Sequence, residues 1–291
     1  MATMKTEKTA RNHTLSRYPS VTRGSHTRYM TSLLDAPPAS VMDVLRGERT
    51  TRPSANNTAA AGLRAMLEDA IYELLGPNLR DVAVTVRASS LRRGPIVSTN
   101  SAPLAQVRGI LINQALRLLC AGVTVEDVCR EALLAWRAEA GENDLTLYVD
   151  QLVDDDSARL AADVEAHWVT LKRSLGPLSN RWLPRTSLRA YQRLGGGNVI
   201  LRDVIDLMVG TTSSDVASVV LLDVTTSPLD EGAERVMRYH ALVQTLRTSI
   251  VPLRTSMFST ATGELWSSDV NDETLTRALG DVLDVIGGLA T

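Results

Sequence analysis

From residue 58 the apolar positions fall into repeating patterns that predict helices first and strands later. In TAAAGLRAMLEDAIYELLG, Leu63, Met66, Leu67, Ile71 and Leu74 share one helical stripe, and Gly76 closes it as a C-cap. VAVTVRASSL (82–91) alternates as a strand does, and a Ser/Asn/Pro loop follows. The spacing predicts a helix over 107–122, a second beginning at an N-cap Thr124 with Asp127 three residues on, and a third over 160–176. After Pro184 the texture changes. SLRAYQRL (187–194), the turn Gly195–Gly197 and NVILRDVIDLMVG (198–210) read as a hairpin, followed by a TTSSD turn. VASVVLLDV is apolar on both faces and therefore central in a sheet. A helix over 233–246, a strand over 250–260 and a closing helix in ETLTRALGDVLDVIGGL complete the pattern. This order predicts an α/β fold: one mixed sheet flanked by helices, with a mostly helical N-terminal region.

Residues 1–57 lack this periodicity except around SVMDVLRGE. Residues 1–30 carry six cations (Lys5, Lys8, Arg11, Arg17, Arg23, Arg28) against Glu7. They read as a flexible basic segment, with a phosphate- or partner-touching arm and a transit peptide as alternatives. The remainder divides into a helix-and-strand subregion (58–106) and a larger domain (107–291).

Composition narrows the chemistry. The 291 residues are 44% apolar with net charge −2, so nucleic acid is not attracted to the surface as a whole, although a local groove can still be basic. Cys120 and Cys129 are too few for a zinc site or a disulfide framework and read as buried spacers. No apolar run approaches a membrane span, and the N-terminus lacks a secretory core, so a cytoplasmic protein is expected. Asp154, Asp155 and Asp156 read as a solvated helix cap rather than a metal cluster. His167 and His240 have no acid–nucleophile partners at recognisable spacing. Gly195–Gly197 has no following helix to cradle phosphate, and no G-x-S-x-G elbow is present.

The candidate chemistry lies in two aspartates. Asp206 ends the apolar stretch of one strand and Asp223 that of the next. Metal-dependent phosphodiester hydrolysis needs acids to hold Mg²⁺ and a cation to stabilise the charged phosphate. In a strand, residues i and i+2 share a face, so Thr225 stands where a lysine would serve that purpose. Asp203, three residues before Asp206, is expected on the opposite face of an undistorted strand and is not counted as a ligand.

The segment LGGGNVILRDVIDLMVG…VVLLDVTTSP…ERVMRYHALVQTL, with its Tyr239-His240-Ala241-Leu242 run, resembles the RecB-like branch of the PD-(D/E)XK nuclease superfamily. The resemblance covers about residues 107–287. It implies a restriction-endonuclease-like core, Asp206 and Asp223 as catalytic metal ligands for Mg²⁺, and Tyr239 as a signature residue.

The departures matter as much. The family's G-x-x-x-H histidine is Asn113 after Gly109, and its upstream glutamate region has only Ser187. Its D-L motif glycine is Asp203, its D-x-K lysine is Thr225, and its helix glutamine is Arg235. Losing the cation alone costs about 3–4 kcal/mol of barrier, or ~10²–10³ in rate. Lys172, Arg235 and Arg238 are the candidates for a migrated cation, the two arginines also as nucleic-acid contacts. The resemblance implies a degenerate nuclease that binds DNA or serves as a subunit of a helicase–nuclease, repair or phage-defence assembly. The alternatives are a working Mg²⁺-dependent deoxyribonuclease with a rebuilt site, and a scaffold or regulatory protein with no nucleic-acid role.

Overall fold

The structure is a computed structural model that describes residues 41–46, 57–76, 83–92, 102–176, 178–211 and 219–290. The basic segment at 1–30, the Ser/Asn/Pro loop and most of the TTSSD turn lie outside the described residues. In chain order the elements are α1 (Val41–Arg46), α2 (Asn57–Leu75), β1 (Val84–Arg87), α3 (Ala102–Cys120), α4 (Val128–Ala140), α5 (Asp144–Asp150) and α6 (Asp154–Leu175). They continue with β2 (Arg185–Leu194), β3 (Val199–Val209), β4 (Val220–Thr225), α7 (Glu231–Thr248), β5 (Arg254–Ser259), β6 (Leu265–Asp269) and α8 (Asp272–Ala290).

The strands form one mixed sheet, as the pattern predicts. β3 pairs antiparallel with β2 along one edge; on the other it meets β1 in parallel through its first half and β4 antiparallel through its second. β4 then pairs parallel with β5 across the α7 crossover, and β5 antiparallel with β6. The double-sided apolar run of β4 has its reason here: it lies between two strands and between two helical layers. Val220, Leu222 and Val224 join α1, α3, α4 and α6 in one core. The other core packs α2, α7 and α8 on Val84, Val86, Val199 and Leu201.

Several local expectations need correction. Asp127, not Thr124, caps α4: its side chain accepts the Arg130 amide, and the helix begins at Val128. A carboxylate facing the positive helix end outcompetes a hydroxyl three residues upstream. The strand expected over 82–91 shortens to β1 and turns into a 3₁₀ segment over 88–91. α5 and β6 carry no strong periodicity and are additions. Asp154, Asp155 and Asp156 form the first turn of α6, where they complement its dipole.

The most consequential departure is in β3. The β2–β3 ladder runs in constant register from Leu194↔Val199 to Arg185↔Met208, yet omits the pair Ser187↔Asp206. Ser187 has φ of 51°, in the left-handed region. Before this break, odd-numbered residues of β3 (Val199, Leu201) face α7 and α8. Beyond it, odd-numbered Leu207 and Val209 face α3 and α6. The face alternation therefore slips once, and Asp203 and Asp206 come to the same side. Asp203 does not point away from the site.

A serine held in the left-handed region costs about 1–2 kcal/mol that glycine does not pay. Ser187→Gly is expected to raise unfolding stability by about 1 kcal/mol, and the β-branched Ser187→Val to lower it by about 2 kcal/mol, read from urea midpoints. Equal losses in both variants would contradict the assigned backbone strain.

A buried carboxylate and imidazole cluster as the candidate site

Four titratable side chains meet where β3, β4 and α7 pack. The β3–β4 register, with Leu207 opposite Leu222, brings Asp206 and Asp223 side by side. Their carboxyl groups lie within hydrogen-bonding reach of each other. Asp206 Oδ2 also accepts the Val224 amide across the strands at 2.9 Å. From α7, His240 Nδ1 lies 2.8 Å from Asp203 Oδ2, and its Nε2 lies 3.6 Å from Asp223 Oδ2. The second distance is an ion-pair contact, beyond hydrogen-bond length. The His240 and Asp203 side chains are sealed from solvent, whereas the Asp223 side chain keeps 18% of its exposure.

Burial decides the charge states. It pushes the Asp206 carboxyl well above its ordinary range, and the adjacent Asp223 charge pushes it further, so burial and that charge both favour its protonated form. Burial opposes ionisation of Asp223 too, but His240, a proton from Asp206 and the field of Arg92 win, and its pKa falls below the ordinary value. Burial alone would discharge His240. The charges of Asp203 and Asp223 overcome it and lift the imidazole well above 6.5. These shifts favour an imidazolium between the Asp203 and Asp223 carboxylates, with the protonated form of Asp206 against Asp223.

The neighbouring residues fix this arrangement. The Tyr239 hydroxyl lies 2.9 Å from the Val86 carbonyl and 3.0 Å from that of Arg202, so it ties α7 to β1 and β3 from a fully buried position. His240, the next residue, is thereby set against Asp203. Asp230 caps α7 through the Ala233 amide. Gly232 in the first turn lets Arg92 approach: a Cβ there would meet the Arg92 Cγ at 3.2 Å and its Cα at 3.3 Å. Arg92 itself is exposed.

Each sequence candidate has a definite place. Asp206 and Asp223 are together. Thr225 completes the turn after β4: its Oγ1 accepts the Ser227 amide at 3.2 Å, and its carbonyl accepts from Thr260. Tyr239 acts as a packing anchor. Arg238 donates to Asp281 of α8 at 2.9 Å, and Arg235 lies 3.9 Å from the same carboxylate, so binding phosphate would break that pairing. Lys172 sits over the Trp168 ring on α6, in the other core layer. Sequence reasoning missed Asp203, His240 and Arg92. Only the position of His240 beside the quoted tyrosine pointed toward the first two.

Asp206 and Asp223 are the residues that would hold the Mg²⁺ that the resemblance implies. Mg²⁺ requires near-octahedral oxygen ligands at about 2.0–2.1 Å and keeps several waters. Here the two carboxyl groups lie side by side, and the His240 ring adjoins Asp223.

The pH dependence follows from these shifts. His240 is raised, so its contribution to stability is complete below 6.5 and lost as pH rises through its folded value. Asp206 is raised and loses stability in the same direction, from 3.8 upward. Asp223 is lowered, so its contribution is present above 3.8 and disappears as pH falls through its folded value. His240→Gln strands buried carboxylates and is expected to cost about 3–5 kcal/mol at neutral pH. Thermal melts across pH should show that deficit shrinking in acid, where protons neutralise the acids. A deficit independent of pH would contradict the charge assignment.

No family model matches the chain, and no curated protein does. A solved structure titled "Crystal structure of SSO0001" is 12% identical and covers 76% of this chain and 85% of its own. Its TM-score is 0.30, a likeness too loose to assign a family.

Proposed function

We propose that the chain is a RecB-like PD-(D/E)XK nuclease-fold protein that has lost cleavage and acts through DNA binding, alone or within a helicase–nuclease, repair or phage-defence assembly. One observation carries this reading: Asp206 and Asp223 are paired across adjacent strands, and the position beside them is filled by the imidazolium of His240. An internal cation substitutes for both the lost lysine and an external metal as far as charge neutrality is concerned. It cannot do the lysine's work on phosphate, because His240 is buried on the inner face of α7 with a carboxylate on either side. Asp206 and Asp223 thus survive as a structural pair after the chemistry around them has gone.

The second reading, an active deoxyribonuclease with a migrated cation, draws support from Arg92, whose field reaches the exposed edge of Asp223. An arginine there can neutralise phosphate charge but is a poor proton acceptor.

The two readings separate in one assay. Purified full-length protein is incubated with single-stranded and duplex DNA in Mg²⁺ or Mn²⁺, beside Asp223→Ala. The expected outcome is intact DNA in every lane. Cleavage by the wild type that Asp223→Ala abolishes would overturn the proposal in favour of the active enzyme.

A further inference from the structure

The half of the sheet not covered by α3, α4 and α6 exposes a row of arginines around one tyrosine. On β2, Arg189, Tyr191 and Arg193 alternate outward, while Ala190, Gln192 and Leu194 are buried. Register places Tyr191 beside Arg202 of β3, and Arg202 beside Arg87 of β1. All five are exposed, Tyr191 at 57%. The Arg202 guanidinium lies over the Tyr191 ring, 6.0 Å from its centroid. Val204 adds an exposed apolar spot beside Arg189.

This composition is costly for a face whose only duty is to meet water. Like charges in register on adjacent strands destabilise a sheet, and Arg87 and Arg202 form such a pair. Among the described residues, Arg87, Arg193 and Arg202 have no carboxylate within ion-pair distance. Arg189 has Glu139, which it shares with Arg117. A chain of net charge −2 has therefore concentrated unneutralised cations at one place. Outward residues on one strand are spaced about 6.8 Å apart and neighbouring strands about 4.8 Å apart, so the guanidiniums form a flat lattice rather than a pocket. A flat array of guanidiniums around an aromatic face suits a flexible polyanion with stackable rings.

We infer that this face of β1, β2 and β3 binds single-stranded DNA, the guanidiniums of Arg87, Arg189, Arg193 and Arg202 meeting phosphates while a base stacks on Tyr191. Duplex DNA fits less well, since its bases are already stacked and cannot reach the ring. The choice of DNA over RNA rests on the proposed function; the choice of a single strand rests on this face alone. The site lies on the opposite side of the sheet from His240 and Asp223 and involves none of the cluster's residues.

The test is fluorescence anisotropy with full-length protein and short labelled oligonucleotides: single-stranded DNA, the matching RNA and the duplex. The wild type is expected to bind the DNA strand most tightly. Arg193→Ala with Arg202→Ala should reduce the slope of log affinity against log salt by roughly 1.4, the share of two single-strand phosphate contacts. Tyr191→Ala should weaken binding about tenfold. Arg159→Ala, which removes an exposed cation from α6, should leave binding unchanged and serves as the control. All substituted residues are exposed, and circular dichroism verifies that each variant folds. Wild-type affinity in both patch variants would overturn this site while leaving the proposed function intact. Tighter binding of RNA would overturn the assignment to DNA. Absence of binding to any oligonucleotide would overturn both the site and the DNA-binding part of the proposed function, whereas metal-dependent cleavage would overturn only the latter's claim of lost activity.

Discussion

A carboxylate without water must find a positive partner or take up a proton, and this structure gathers three aspartates at one junction, Asp203 and Asp206 buried and Asp223 partly so. Asp203, Asp206 and Asp223 come from two neighbouring strands and face the same helix. One imidazolium and one proton make the junction tolerable. The surrounding features all serve that balance. The slip in β3 brings Asp203 to the correct side, Tyr239 fixes the height of α7, and His240 follows it into the gap. Removing the histidine alone leaves charges that the core cannot hold.

Much of the fold was legible because it obeys local periods. The two-residue alternation of β2 and the first half of β3, the double-sided run of β4 and the helical stripe of α8 all reflect neighbours that cover fixed faces. On α2, by contrast, only Leu63, Leu67 and Ile71 of the expected stripe are buried, and Met66 and Leu74 are exposed. The pairing of Asp206 with Asp223 was legible for the same reason: both end apolar stretches of consecutive strands. β6 escaped because LWSSD carries one buried residue, and its pairing with β5, not its composition, makes it a strand. The capping of α4 was misplaced because two candidate caps stand three residues apart, and only the carboxylate reaches an amide.

The rest of the site was hidden because it depends on contacts across long stretches of chain. Asp203 reads as outward-facing under strict alternation, and the interruption at Ser187 that reverses it lies on the partner strand. His240 sits 37 residues from Asp203, a separation that no local motif records. Arg235 and Arg238 looked available for phosphate because their partner, Asp281, belongs to a different helix. A net charge of −2 likewise averages over a buried acidic junction and an exposed arginine face, and so describes neither. Charge placement in this protein is a property of strand register more than of composition.

The protonation state of the His240 ring decides how the junction is neutralised. Nitrogen-edited NMR of the labelled protein resolves its four histidines, and the signal missing in His240→Gln identifies the one at issue. The predicted result is an imidazole that carries protons on both nitrogens at neutral pH and titrates well above 6.5. A neutral ring that titrates at or below 6.5 would contradict it, and the cluster would then have to be neutralised by some other cation.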